Sequence, residues 1–177
     1  RERPVRVMHV RGIGESFSGA DTEMAPGMIE VDLHLHSTRS DGTLTPTELI
    51  RLCAERGLRM VALTDHDSTD GIEEAKAAAR QRDGIEVIAG AELSCDTVLG
   101  EVHVLGLFVD TEAPAFQAFC ELTRSGRRER GRRMVERLAD AGVNLSFGRV
   151  LELSDGGAVG RPHVARALVE AGYVRHT

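Results

Sequence analysis

Ile29-Glu30-Val31-Asp32-Leu33-His34-Leu35-His36-Ser37-Thr38-Arg39-Ser40-Asp41 is the stretch whose reading decides the fold. Ile29, Val31, Leu33 and Leu35 alternate with Glu30, Asp32, His34 and His36, a period of two that predicts a strand with one apolar and one polar face. Residues two apart point the same way, so His34 and His36 leave the strand end together, and Asp41 adds a carboxylate from the loop. Two readings fit this stretch alone. It is either the nucleus of a metal site or a polar strand face wetted by solvent.

The following residues alternate strands with helices. Thr45-Pro46-Thr47-Glu48 predicts a helix start, with Thr45 as cap, Pro46 in the first turn and Glu48 completing a capping box. That helix is expected to run to about Arg56 and stop at Gly57. Met60 to Leu63 reads as a strand covered on both faces, opening into Thr64-Asp65-His66-Asp67. A second helix is expected over residues 71–82, with Ile72, Ala75 and Ala79 at helical spacing. A third strand, residues 85–89, leads into Gly90-Ala91-Glu92-Leu93-Ser94. A fourth, residues 101–109, puts Glu101 and His103 on one face. Strand, helix, strand, helix, strand with short connections predicts parallel βα units. The polar clusters fall at or beyond strand C-terminal ends, where α/β sheets place their chemistry.

Residues 113–141 take up a helical period, with Met134, Leu138 and Ala141 as the expected inward stripe. Arg127 and Arg130 continue that stripe, and a guanidinium there needs an anionic partner, for which a substrate phosphate is a candidate. Arg128, Arg132, Arg133 and Arg137 read as a solvated face. Short helices are expected over residues 147–153 and 162–171. Arg161 and His163 open the latter, as substrate contacts or as a structural cap.

Composition narrows the class. The chain has 177 residues, 41% hydrophobic and 28% charged, enough for one domain with a core. No apolar run reaches the roughly 18 residues needed to cross a bilayer. Cys53, Cys95 and Cys120 are odd in number and form no Cys-x-x-Cys, which suggests buried thiols in a reducing compartment. The expectation is a cytoplasmic protein. A net charge of −6 argues against broad nucleic-acid binding, and no specific double-stranded DNA recognition is expected. Residues 1–27 have no clear period and read as a loosely ordered extension, with a short strand near Val5 to Val10.

His34, His36, Asp41, His66, Glu92 and His103 are the candidate metal ligands, one or more from each strand end. Mixed imidazole and carboxylate ligation suits Mn²⁺, Fe²⁺ or Zn²⁺ better than Mg²⁺ or Ca²⁺. Six such groups exceed the needs of one ion, so two or three ions are expected, Mn²⁺ foremost, with Glu92 as a natural bridge. Asp65 either orients a ligand from behind or caps the following helix.

Asp32-Leu33-His34-Leu35-His36-Ser37 with Ser40-Asp41-Gly42 resembles the first motif of the polymerase-and-histidinol-phosphatase (PHP) family. Thr64-Asp65-His66-Asp67, Gly90-Ala91-Glu92-Leu93-Ser94 and Glu101-Val102-His103-Val104-Leu105-Gly106 are similar to the motifs that follow. The resemblance extends over residues 28–177. It is strongest to the branch of bacterial phosphoesterases acting on nucleoside 3′,5′-bisphosphates and short RNA 5′ ends. It implies an α/β fold, a distorted (β/α)₇ barrel with three metal ions at the strand ends. Residues 28–111 would form the N-terminal part of that barrel and residues 112–177 an inserted helical subdomain. The family also draws ligands from Ala-His-Pro and Ser-Asp-x-His segments, and neither occurs in these residues. The sequence is therefore expected to be part of a longer protein whose remaining residues complete the barrel; a shortened relative is the alternative.

The implied activity is hydrolysis of a nucleotide phosphoester by a metal-activated water. Asp65 and His163 are the candidate catalytic residues beyond the ligands, and Arg127, Arg130, Arg161 and His163 would hold substrate phosphates. The partner is then a small nucleotide or short RNA. The rivals are a histidinol-phosphate-type phosphatase, an amidohydrolase, or a phosphate-binding module without turnover.

Overall fold

The computed structural model describes residues 30–98 and 100–176. Four strands and five helices follow in the order β1 (Glu30–Leu35), α1 (Pro46–Glu55), β2 (Leu58–Leu63), α2 (Ile72–Arg80), β3 (Glu86–Thr97), β4 (Gly100–Leu107), α3 (Pro114–Asp140), α4 (Phe147–Ser154) and α5 (Arg161–Glu170). The strand expected near Val5 lies outside the described residues.

The first helix begins as its sequence requires. The Thr45 hydroxyl accepts from Glu48 N at 3.2 Å, and the Glu48 carboxylate accepts from Thr45 N at 2.9 Å. Gly57, at φ +79°, turns the chain into β2. Val61, Ala62 and Leu63 of that strand are buried, as a strand between two neighbours should be. Helices α1 and α2 cover one side of the sheet, where Leu49, Ile50, Cys53, Ile72, Ala75 and Ala79 close the core with Leu35 and Leu63. The alternation of β1 is distorted at its start: Asp32 is buried while Val31 is 38% exposed.

The sheet has the order β1-β2-β3-β4, and β1 has a free edge among the described residues. Strands β1, β2 and β3 are parallel, as the alternation of strands and helices predicts. Strand β4 departs from that pattern and pairs antiparallel with β3. The reason is the connection, since two residues between Thr97 and Gly100 close a hairpin but cannot make a parallel crossover. Strand β3 is also longer than its sequence suggests. Glu86 to Ala89 pair with β2, and Gly90 to Thr97 pair with β4. Gly90 stands at the change of partner, where a Cβ would lie 2.8 Å from Thr64 Cγ2 and 3.0 Å from the Gly106 carbonyl oxygen.

Helices α3, α4 and α5 enclose a second cluster, Val135, Val150, Val159, Val164 and Ala167. The inward line of α3 is Cys120, Arg127, Gly131 and Val135. Met134 and Leu138 flank it, and Ala141 is exposed because the helix ends at Asp140, one residue short of the expected stripe. The α4–α5 connection rests on the loop after β1. Ala158 N donates to the Arg39 carbonyl at 3.1 Å, and Gly157 packs where a Cβ would meet Arg39 and Thr38 backbone atoms at 2.8 Å. No helix among the described residues is long and apolar enough to cross a membrane.

Candidate metal centre

Six candidate ligands converge from five places in the chain. His34 projects from β1, His36 from the residue just past its end, Asp41 from the turn that follows, and His66 from just beyond β2. Glu92 comes from the middle of β3 and His103 from β4. His66 and Glu92 are held together by an isolated parallel bridge, with Glu92 N donating to the Asp65 carbonyl at 3.2 Å and Asp67 N to the Glu92 carbonyl at 3.0 Å. The antiparallel hairpin brings His103 within reach of Glu92 on the adjacent strand. His103 lies within its strand, as the sequence reading has it, whereas Glu92 lies within β3 and not past its end.

Glu92 is the hub. Its Oε2 lies 2.8 Å from His34 Nε2, 2.9 Å from His36 Nε2 and 3.5 Å from His66 Nδ1, and its Oε1 lies 2.6 Å from His103 Nδ1. Asp41 faces His36 Nδ1 at 3.6 Å and His66 Nε2 at 3.5 Å. The imidazoles stand in a row, with centroids 5.0 Å apart from His34 to His36, 4.6 Å from His36 to His66 and 4.9 Å from His66 to His103. Three sets of donors form on this row: His34, His36 and Glu92; His36, Asp41 and His66; and His66, Glu92 and His103.

Divalent cations fit these donors. Ligand atoms about 2.0–2.2 Å from a common ion are about 3.0–3.5 Å apart, close to several separations found here. Within the His66 ring, Nδ1 is buried and has no hydrogen-bond partner, although Glu92 Oε2 is 3.5 Å away. A buried imidazole nitrogen without a partner is costly unless something else satisfies it, and a cation between it and the carboxylate would do so. Protonation states favour the same use. Burial, and then His66, lower the pKa of His36, which favours the neutral ring. Burial tends to raise Asp41, but the bond from His66 and the His66 and His36 charges outweigh it and bring the pKa down to about 2. Glu92 is likewise lowered against its burial by His34, His66 and His103.

Asp65 is buried beneath the loop. It accepts from Ser37 N at 2.7 Å, Ser37 Oγ at 2.7 Å and Ser40 Oγ at 2.6 Å. Ser40 Oγ is in turn 3.3 Å from His36 Nδ1. Its carboxylate does not cap α2, whose N-cap Gly71 has no side-chain bond. It clamps the loop that carries Asp41. His163, also buried, accepts from Gly160 N through Nδ1 at 2.9 Å, which fixes the ring at the start of α5. Burial, then Arg166, lower its pKa.

The arginines separate. Arg127 is 5% exposed and its anionic partner is internal: Nε donates to Asp67, and Nη2 to Ser94 Oγ at 2.6 Å. Asp67 also accepts from Ser94 N and Ser94 Oγ, both at 2.8 Å. The anionic partner of Arg127 in this structure is a protein carboxylate. Arg130 pairs with Glu101, beside His103. Arg161 is exposed and makes no ion pair among the described residues. Sequence reasoning gave no role to Asp67 or Glu101. The same-face spacing of Glu101 and His103 was a usable signal; Asp67, which takes φ +50°, has its partner 60 residues away.

A groove of about 860 Å³ runs along β1 and is lined by His34, His36, Leu44, Leu49 and Leu105 among others.

Comparison with known proteins gives consistent matches. The PHP domain family matches residues 32–173. The chain is 43% identical over 149 residues to a 3′,5′-nucleoside bisphosphate phosphatase of Chromobacterium violaceum, covering 84% of this chain and 52% of the relative. It is 39% identical over 143 residues to a 5′-3′ exoribonuclease of Haemophilus influenzae, covering 81% and 52%. A crystal structure described as a metal-dependent phosphoesterase of Bifidobacterium adolescentis superposes with a TM-score of 0.77 at 34% identity, covering 85% of this chain and 53% of that one. The chain spans about half the length of the curated relatives it matches.

Proposed function

The chain belongs to the PHP domain family, and on that footing we propose that it holds the metal centre of a hydrolase acting on a nucleotide phosphoester. The observation that carries this reading is Glu92 encircled by four imidazoles, with three overlapping donor sets on one row of rings. Two or three divalent ions, Mn²⁺ foremost and Fe²⁺ or Zn²⁺ as alternatives, would be held by His34, His36, Asp41, His66, Glu92 and His103. Such ions, when bound, polarise phosphoryl oxygens and make water nucleophilic near neutral pH.

The chain's own residues set up that chemistry. Asp41 and Glu92 stay ionised because of the imidazoles around them. Asp65, through Ser37 and Ser40, fixes the loop that presents Asp41 and steadies His36. We assign His163 the same kind of support from the α5 side, where the buried ring accepts from Gly160 N. Arg161, exposed and making no ion pair among the described residues, is the arginine we assign to a substrate phosphate. Arg130 is a second candidate if it exchanges Glu101 for that phosphate, and Arg127 is committed to Asp67. Residues 28–111 would be the N-terminal part of a distorted (β/α)₇ barrel and residues 112–177 its inserted helical subdomain, in a cytoplasmic protein.

One relative is named a nucleoside bisphosphate phosphatase and another an exoribonuclease, and a nucleoside 3′,5′-bisphosphate or a short RNA 5′ end is the substrate class we infer. The test is phosphate release under Mn²⁺ from adenosine 3′,5′-bisphosphate against histidinol phosphate. Preferential hydrolysis of the bisphosphate is expected. Preference for histidinol phosphate would overturn the substrate assignment.

A further inference from the structure

Four charged or polar side chains run in series from α3 to the centre of the cluster. Arg130 on α3 donates to Glu101 Oε2, Glu101 Oε1 lies 2.8 Å from His103 Nε2, and His103 Nδ1 lies 2.6 Å from Glu92 Oε1. Glu101 belongs to none of the three donor sets. It sits two residues before His103 on β4, on the same face, and is turned toward the far side of the ring.

We propose that Glu101 is a positioning residue for the metal centre: it accepts a hydrogen bond from His103 Nε2–H and so leaves Nδ1 as the ligand atom facing Glu92, while Arg130 holds Glu101 in place from α3. The inference rests on the metal-centre reading above and extends it to residues outside the donor sets. The physical argument is the chemistry of imidazole. A neutral ring carries one proton, and the nitrogen that keeps it cannot hold an ion. His103 has a carboxylate on each side, so the ring alone does not decide which nitrogen is free. Glu101 has no second ligand role to play, whereas Glu92 is shared by three other imidazoles whose nitrogens need the same ion-filled space. The proton therefore belongs on the Glu101 side. Arg130 makes that choice firm, because it neutralises Glu101 and keeps the carboxylate from swinging to solvent. An exposed Arg–Glu pair by itself adds little to stability. The weight of this one lies in the second oxygen, which reaches the ring. Helix α3, remote in sequence from the ligands, thereby sets the orientation of one of them.

The test uses the chain with Zn²⁺ alone. Zinc affinity is measured by competition with a chromophoric chelator, and the His103 tautomer by long-range ¹H–¹⁵N correlation of its ring in the zinc-loaded chain. The wild type is expected to carry its proton on Nε2. Glu101→Leu should weaken the zinc site that uses His103 by about 10–100-fold, the usual effect of losing such a partner. Glu101→Gln should recover most of that loss, because its amide oxygen accepts the same bond. Arg130→Ala should give a smaller loss, and none beyond Glu101→Leu when the two are combined. Melting curves of the metal-free variants separate these effects from misfolding. Unchanged affinity in Glu101→Leu, a Gln variant as weak as Leu, or a wild-type proton on Nδ1 each overturns the inference. A wild-type chain that takes up no zinc overturns the metal-centre reading itself, which is a different result.

Discussion

Replacing Arg127 by Met decides whether this guanidinium belongs to the fold or to the substrate. In the structure it is buried against Asp67, which is itself fully buried and takes two further bonds from Ser94. Removing one partner of a buried pair leaves the other charge uncompensated and costs about 3–5 kcal/mol. The two Ser94 bonds remain, so the lower end is expected, about 3 kcal/mol, or about 6–12 °C in melting temperature for a chain of this size. The pH dependence has a definite sign. Burial pushes Asp67 up, but the Ser94 bonds and Arg127 bring it below the ordinary carboxylate value. A lowered carboxylate stabilises the folded state above its unfolded pKa and loses that contribution as pH falls through the folded value. In the variant, burial acts with less opposition, so Asp67 takes up a proton at higher pH than in the wild type. The gap between the two proteins should then be largest near neutrality and shrink toward pH 4. Urea unfolding at several pH values measures it, and Arg127→Met with Asp67→Asn should recover part of the loss. A destabilisation below about 1 kcal/mol at neutral pH, the level of an exposed pair, would refute the reasoning and return Arg127 to the substrate side.

Three smaller predictions accompany it. Thr45→Ala removes the capping box of α1 and should cost about 1 kcal/mol without changing metal uptake, as read by thermal unfolding and elemental analysis. Gly157→Ala places a methyl 2.8 Å from the Arg39 and Thr38 backbone. It should cost about 1–3 kcal/mol and weaken metal binding through the Asp41 loop, which calorimetry with Zn²⁺ can read. Because burial and His66 lower His36, that ring stays a competent ligand below the ordinary imidazole range. Zinc release on acidification, followed with a chromophoric chelator, should have its midpoint below about pH 6.5, and release above that value would contradict the assignment.

Local signals in the sequence were readable because they depend on neighbours within a few residues. The His34–His36 spacing, the Thr45–Glu48 box and the Ile72–Ala75–Ala79 stripe all belong to that class. The ordered arrival of His66, Glu92 and His103 at successive strands was legible as well, since chain order and strand alternation place them at one end of the sheet. What escaped was decided by contacts distant in sequence. Arg127 looks available for a phosphate until Asp67 arrives from the β2 end. The antiparallel turn of β4 was hidden for another reason. A strand period is the same in both directions, and only the two-residue connection reveals the hairpin.

The metal content of the chain and of its Glu92→Gln variant is the most direct measure of the central claim. Glu92 contacts all four imidazoles, and the substitution keeps its shape while removing its charge. After incubation with Mn²⁺ or Zn²⁺ and removal of free ion, elemental analysis should find two or three equivalents on the wild type and at least one fewer on the variant. A wild-type chain that retains no ion, or a variant that retains as much as the wild type, would contradict the account.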